Sequence, residues 1–322
     1  MLKRWIAILL AIVMCFALAA CNEAEEKDKK KTDRKETREP TSTPILYKVT
    51  DDDGDVIWLF GSIHVGLEEY YPLPDYVMDA FEGSDALAVE FDIVAYQEDM
   101  EAQTTALAAL VYTDGTTIAD HIPAELYEKA VKIIDENSMY VSAYDMYCPV
   151  LWSSMLDNII IEKTGVETDL GVDMHMINLA YDCDKPVLNV ESPELQYNLM
   201  AGFSEELQIM LLEKSVENFE RYNLYGMAMN MLMKTWMTGD EETLVLMLNE
   251  ESQLGTERER ELYAEYCDAL ITQRNLSMTQ YAEDALESGD ELFICVGAAH
   301  IVGPDAMADL LAERGYTVER IR

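Results

Sequence analysis

The sequence predicts an α/β fold: a mixed or mostly parallel central sheet flanked by helices, with a helical middle region. Three observations carry this. Short apolar runs of strand length alternate with stretches of helical periodicity. The clearest runs are continuously apolar, as in strands buried on both faces. Two of them, Val56–Phe60 and Leu292–Val296, lead into the same motif: Gly, two small or apolar residues, His, and a trailing Gly.

The N-terminus lies outside that fold. Lys3 and Arg4 precede an apolar run from Trp5 to about Ala17, which ends in Leu18-Ala19-Ala20-Cys21. This pattern reads as a secretory signal peptide, too short and wrongly flanked for a stable membrane span. The small residues before Cys21 resemble a bacterial lipobox; the alternative is an ordinary signal with a chance cysteine. Residues 1–20 are thus expected to be a lipoprotein signal peptide. Residues 21–44 are expected to be a lipidated Cys21 and a flexible charged tether. That segment is too polar to bury a core. Residues 45–322 form the folded domain.

The strands are expected in order. Val56–Phe60 ends in Gly61-Ser62-Ile63-His64, and Ala86–Val89 ends at Glu90. Between them, Pro72-Leu73-Pro74 introduces a helix from about Asp75 to Glu82. The middle is mainly helical, with Pro123 suited to a first turn. Thr168–His175 opens another helix. Lys185–Val190 is a strand candidate ending at Glu191. Gln196 to Met237 reads as long, helical and methionine-rich, broken by Gly239-Asp240. Glu257 to about Glu287 is amphipathic and carries Arg274 and Asn275. The last unit is the Leu292–Val296 strand, Gly297-Ala298-Ala299-His300, a helix from about Pro304 to Arg314, and a strand Thr317–Ile321.

Charge excludes one class of partner. The formal net charge is -39, while Asn22 to Pro40 has seven basic and seven acidic residues, so the excess sits on the folded domain. Such a polyanion repels phosphate backbones, which disfavours nucleic acid and close contact with anionic lipid. Cys148, Cys183, Cys267 and Cys295 are too scattered for a disulfide framework, and Cys295 reads as a core thiol.

Four expected strands therefore end in a polar group: His64, Glu90, Glu191 and His300. Parallel strands present their carboxyl ends as one crevice where ligands bind. Two His and a carboxylate are ligand types for Zn, Mn, Co or Fe. A second carboxylate suits a general base or a further ligand, and Arg274 suits a bidentate contact with a substrate carboxylate or oxyanion, or a plain ion pair on this acidic domain. The glycines Gly61 and Gly297 let backbone approach a ligand closely. His121 reads as structural or exposed. His175 admits two readings, a support for the site or a plain helix surface.

Taken together, these motifs resemble the TraB/GumN family. Trp58-Leu-Phe-Gly-Ser-Ile-His64 resembles its opening motif, and Gly297-Ala-Ala-His300 with Gly303 its closing one. Glu90, Gly171-Val-Asp173, Val190-Glu191-Ser192 with Gln196, Trp236–Asp240 and Arg274-Asn275 resemble its other landmarks. The resemblance runs from about Ile45 to Arg322. It implies kinship with the Tiki metalloproteases, which depend on Mn or Co, and with the erythromycin-esterase-like and ChaN-like folds. It implies two halves, each bearing a Gly-x-x-His motif. His64, Glu90 and His300 would hold a divalent metal (Mn, Co or Zn), with Glu191 and Arg274 catalytic. Gly61, Ser62, Asp173, His175, Asn275 and Gly297 would bind or support. Ser62 replaces a common Thr, and Ala298 a polar residue of the Tiki proteins.

The expected function is a metal-dependent hydrolase, a peptidase acting on a peptide or protein outside the cytoplasm. It would be lipid-anchored to the bacterial membrane. The alternative is a non-catalytic lipoprotein that binds a peptide, pheromone or metal complex.

Overall fold

The computed structural model describes residues 39–248 and 255–322. The expected signal peptide, Cys21 and most of the expected tether lie outside these residues.

The protein is α/β, built on a six-stranded mixed sheet. The strands are β1 (Leu46–Thr50), β2 (Val56–Ser62), β3 (Ala86–Val89), β4 (Val187–Asn189), β5 (Leu292–Gly297) and β6 (Thr317–Ile321). Their spatial order is β4-β3-β5-β2-β1-β6. The four strands from β4 to β2 are mutually parallel; β1 runs antiparallel to both β2 and β6. β3 and β5 are almost wholly buried, which explains their unbroken apolar sequence. β1 was not expected. It pairs with β2 through a tight turn in which Asp51 accepts the amides of Asp53, Gly54 and Asp55.

Helix boundaries follow local chemistry. Asp92 and Ser192 accept amides at the starts of Ile93–Glu98 and Pro193–Ala201, the helices that follow β3 and β4. The expected Gln196–Met237 stretch is three helices: Pro193–Ala201, Glu205–Glu220 and Tyr222–Thr238. Ser204 caps the second, where a fresh helix start is cheaper than continuing through Gly202-Phe203. Gly239, at φ 58°, ends the third in the left-handed conformation that glycine adopts without strain.

Two hydrophobic cores result. One packs helices on the sheet; the other is wholly helical, built from Tyr96, Trp152, Leu156, Leu211 and their neighbours. Gln196, on the helix after β4, stands between them and faces the sheet.

Candidate functional site

The parallel register aligns the strand ends. Ser62 stands opposite Gly297, and Val89 opposite both Cys295 and Asn189. Hence the residues leaving β2, β3, β4 and β5 meet at one edge of the sheet: His64, Glu90, Glu191 and His300.

The two glycines of the paired motifs are there for space. A Cβ at Gly61 would lie 3.1 Å from Ala298, so the motifs pack directly on each other and Ala298 must be small. A Cβ at Gly297 would lie 3.2 Å from Glu90 Oε1, 3.6 Å from His300 Cδ2 and 3.9 Å from His64 Nε2. Those three side chains therefore surround a point that only a glycine leaves open.

The floor of the site is an ion-paired cluster. Arg274 Nη2 donates to Glu90 Oε2 at 2.6 Å and to Glu191 Oε2 at 2.8 Å; its Nε donates to both Glu191 oxygens. Its Nη1 reaches the Leu270 carbonyl. Gln196 Nε2 bridges the same two carboxylates at 3.2 Å each. All four side chains are buried. Burial would raise the Glu90 pKa. Arg274, both histidines and the Gly297 amide override it and hold the carboxyl far below its usual range.

Arg274 and Asn275 are adjacent in sequence, yet both point inward. A single π-turn, Asp268–Thr272, precedes them inside the long helix that runs from Glu257 to Ser288. Such a turn shifts the register of side chains and is frequent at functional sites.

The histidines are held by different partners. Asn275 Nδ2 donates to the Asp305 carbonyl, which leaves Asn275 Oδ1 as an acceptor. His300 Nδ1 therefore donates to it, at 2.7 Å. His300 Nε2 is left bare, 4.0 Å from Glu90 Oε1. Burial and the Arg274 charge push its pKa down to about 3, so it is neutral. His64 Nδ1 instead meets Asp173 Oδ2 at 3.1 Å. Burial pulls its pKa down, but Asp173 and Glu90 outweigh this and raise it to about 9. Asp173 sits in the first turn of the helix Val172–Asp182, and its Oδ1 is buried without a hydrogen-bond partner.

The sequence model of the TraB/PrgY/gumN family matches residues 45–320. The chain belongs to that family. YbaP of Escherichia coli (strain K12), described as an uncharacterized protein, is 24% identical over 255 residues, or 79% of this chain and 86% of YbaP. A YbaP of Shigella flexneri matches to the same extent. No solved structure matches.

Within this TraB/PrgY/gumN domain, other expected site residues fall at the margin. Ser62 is buried beside Cys295, a core thiol whose ionisation burial suppresses. His175 stacks on Tyr71 with ring centroids 3.8 Å apart; burial lowers its pKa to about 4. His121 lies in the helical layer, stacked on Tyr112 and hydrogen-bonded with Thr116 and Glu205. In the sequence, Gln196 stands out only as a family landmark. Its polarity inside an otherwise apolar helix face was the available signal.

A divalent metal is implied by the resemblance, and the donor chemistry fits one. His300 Nε2 lies 4.0 Å from Glu90 Oε1 and His64 Nε2 lies beside Gly297, while each Nδ1 is fixed by a hydrogen-bond partner, the usual support for a metal-bound histidine. Among the described residues, no three His, Cys, Asp or Glu side chains are already spaced to close around an ion.

Proposed function

We propose that this crevice is the centre of a metal-dependent hydrolase, acting as a peptidase on a substrate outside the cytoplasm. The carrying observation is the convergence of His64 Nε2, the His300 ring and Glu90 Oε1 on the open Cβ position of Gly297. His64, His300 and Glu90 would hold the ion, Mn, Co or Zn. When bound, such an ion lowers the pKa of water and polarises a carbonyl.

The protein's own residues have distinct tasks in this reading. Asn275 fixes His300 in the tautomer with a bare Nε2. Asp173 does the same for His64 once that ring loses its second proton. Arg274 keeps Glu90 ionised and turned toward the histidines. Both Glu191 oxygens are held by Arg274 and Gln196, so Glu191 positions the guanidinium instead of acting as the base.

The two motif-bearing halves then act as one site, each supplying a histidine. In this reading the N-terminal run is a lipoprotein signal, and the domain would stand outside the cytoplasm, anchored through Cys21. A second reading, ligand capture without turnover, draws support from the enclosure of Glu90, Glu191, Arg274 and His300.

Metal content and thermal shift of the wild type beside His64→Ala and His300→Ala test the proposal. Stabilisation of the wild type alone by Mn, Co or Zn, with all three proteins folded, supports a shared metal centre. A chelator-sensitive cleavage of a peptide library then separates hydrolysis from capture. No metal response in the wild type removes the proposal.

A further inference from the structure

We infer that the outer face of the helix Tyr222–Thr238 rests on the surface of a zwitterionic lipid bilayer. The chain has 62 acidic residues, yet none falls among the 17 residues of this helix, whose only charge is Lys234. Its buried face packs Tyr225, Met229, Leu232 and Trp236 into the fold. Its exposed face presents Leu224, Met227 and Met231, at the three- and four-residue spacing that aligns side chains on one stripe. Lys234 continues that stripe, with a long stem that lies along apolar surface while its ammonium stays wet. Contiguous exposed apolar residues on a soluble domain mark an interaction surface.

Two observations select lipid as the occupant. The first is charge. The domain carries a large acidic excess, while this helix has no acidic residue of its own, the nearest along the chain being Glu220 before it and Asp240 after it. The second is the route of the chain. Thr43 donates its amide to the Met237 carbonyl at 2.7 Å and its hydroxyl to the Thr238 carbonyl at 3.0 Å. The chain thus enters the described fold beside Glu69 and Tyr70, to whose carbonyls Thr41 and Ser42 donate, and passes the end of this helix at Thr43. The inference rests on the anchored reading of the N-terminal segment, because a tether converts a weak face into an occupied one through high local concentration. Anionic lipid is disfavoured by the domain's charge. The opposite side of the helix braces the site: Trp236 Nε1 donates to the Gly61 carbonyl at 2.7 Å. Docking thus holds the first Gly-x-x-His motif one helix away from lipid, facing substrates displayed near the membrane.

Methionine oxidation by dilute peroxide tests this on the full chain mixed with phosphatidylcholine vesicles, read residue by residue by mass spectrometry. Met227 and Met231 are 57% and 42% exposed, and Met146, in the helical layer, is 51% exposed, so the three should oxidise comparably in the free domain. Docking slows Met227 and Met231 several-fold relative to Met146. The double variant Leu224→Glu with Lys234→Glu, both on the exposed face, restores comparable rates. Flotation of the chain with the vesicles reads the anchor separately. Failure to float overturns the anchored reading and the inference with it. Flotation with Met227 and Met231 oxidised as fast as Met146 overturns the inference alone. Protection that tracks protein density and persists on phosphatidylserine vesicles also overturns it, assigning the face to a second copy of the chain.

Discussion

The two Gly-x-x-His motifs share a sequence pattern and end parallel neighbouring strands, yet their surroundings shift the two histidine pKa values in opposite directions. His64 is partly exposed and faces a carboxylate, so it holds its proton to about pH 9. His300 is buried, faces an amide, and stays neutral down to about pH 3. The motif positions an imidazole; the partner on its Nδ1 decides what that imidazole does. Asp173 and Asn275 thus make the site asymmetric, with an entrance at His64 and a buried wall at His300.

The largest effect should come from removing the floor the two histidines share. Arg274→Met leaves Glu90 and Glu191 buried without their cation, and breaking a buried ion pair costs about 3–5 kcal/mol. Chemical denaturation should show that loss, and a loss near zero would mean the carboxylates are hydrated or protonated. His300→Ala and His64→Ala should both abolish metal-dependent stabilisation and hydrolysis. His300→Ala should also destabilise the fold more, because its ring is fully enclosed. Equal stability losses would undo the contrast between wall and entrance.

The pH dependence separates the histidines by sign. The ordinary histidine pKa of 6.5 is the unfolded reference. Folded His64 binds its proton more tightly, so its pair with Asp173 stabilises fully below pH 6.5 and is lost as pH rises through about 9. Folded His300 rejects its proton, so the unfolded chain binds more protons and stability falls as pH drops from 6.5 toward 3. Denaturation midpoints of the metal-free protein should follow both slopes, and His64→Gln should erase only the alkaline one. Asp173→Asn should bring the His64 pKa well below 9, measured by NMR titration of the ring, while His300 stays neutral. The smallest effect belongs to His175→Phe, which retains the stack on Tyr71 and should leave metal response and hydrolysis unchanged.

Much of the sheet was legible because a strand buried on both faces needs a continuous apolar run. β2, β3 and β5 satisfy that condition and were recognisable, as was the helix end at Gly239. β1 was not. Its sequence, Leu-Tyr-Lys-Val-Thr, alternates after a polar tether, and its place between β2 and β6 is set by pairing rather than composition. The helical stretch expected from Gln196 to Met237 is helical, but its division into three helices was hidden for a related reason. Apolar periodicity persists across Ser204 and Arg221, while the cap at Ser204 and the turn at Arg221 restart the helix.

What the sequence by itself determined is the edge of the sheet and the groups on it. Apolar strands buried on both faces run parallel under covering helices, and whatever follows each strand must emerge at the same edge. His64, Glu90 and His300 follow from that alone; Glu191 follows the exposed edge strand β4 and reaches the same edge through its pairing with β3. Only the tertiary structure decided their charge states and orientation. Arg274 meets Glu90 from 184 residues away, and Asn275, Gln196 and Asp173 arrive on three different helices. Protonation in a buried site depends on the nearest charges and on exclusion of water, and proximity across that distance along the chain is set by packing.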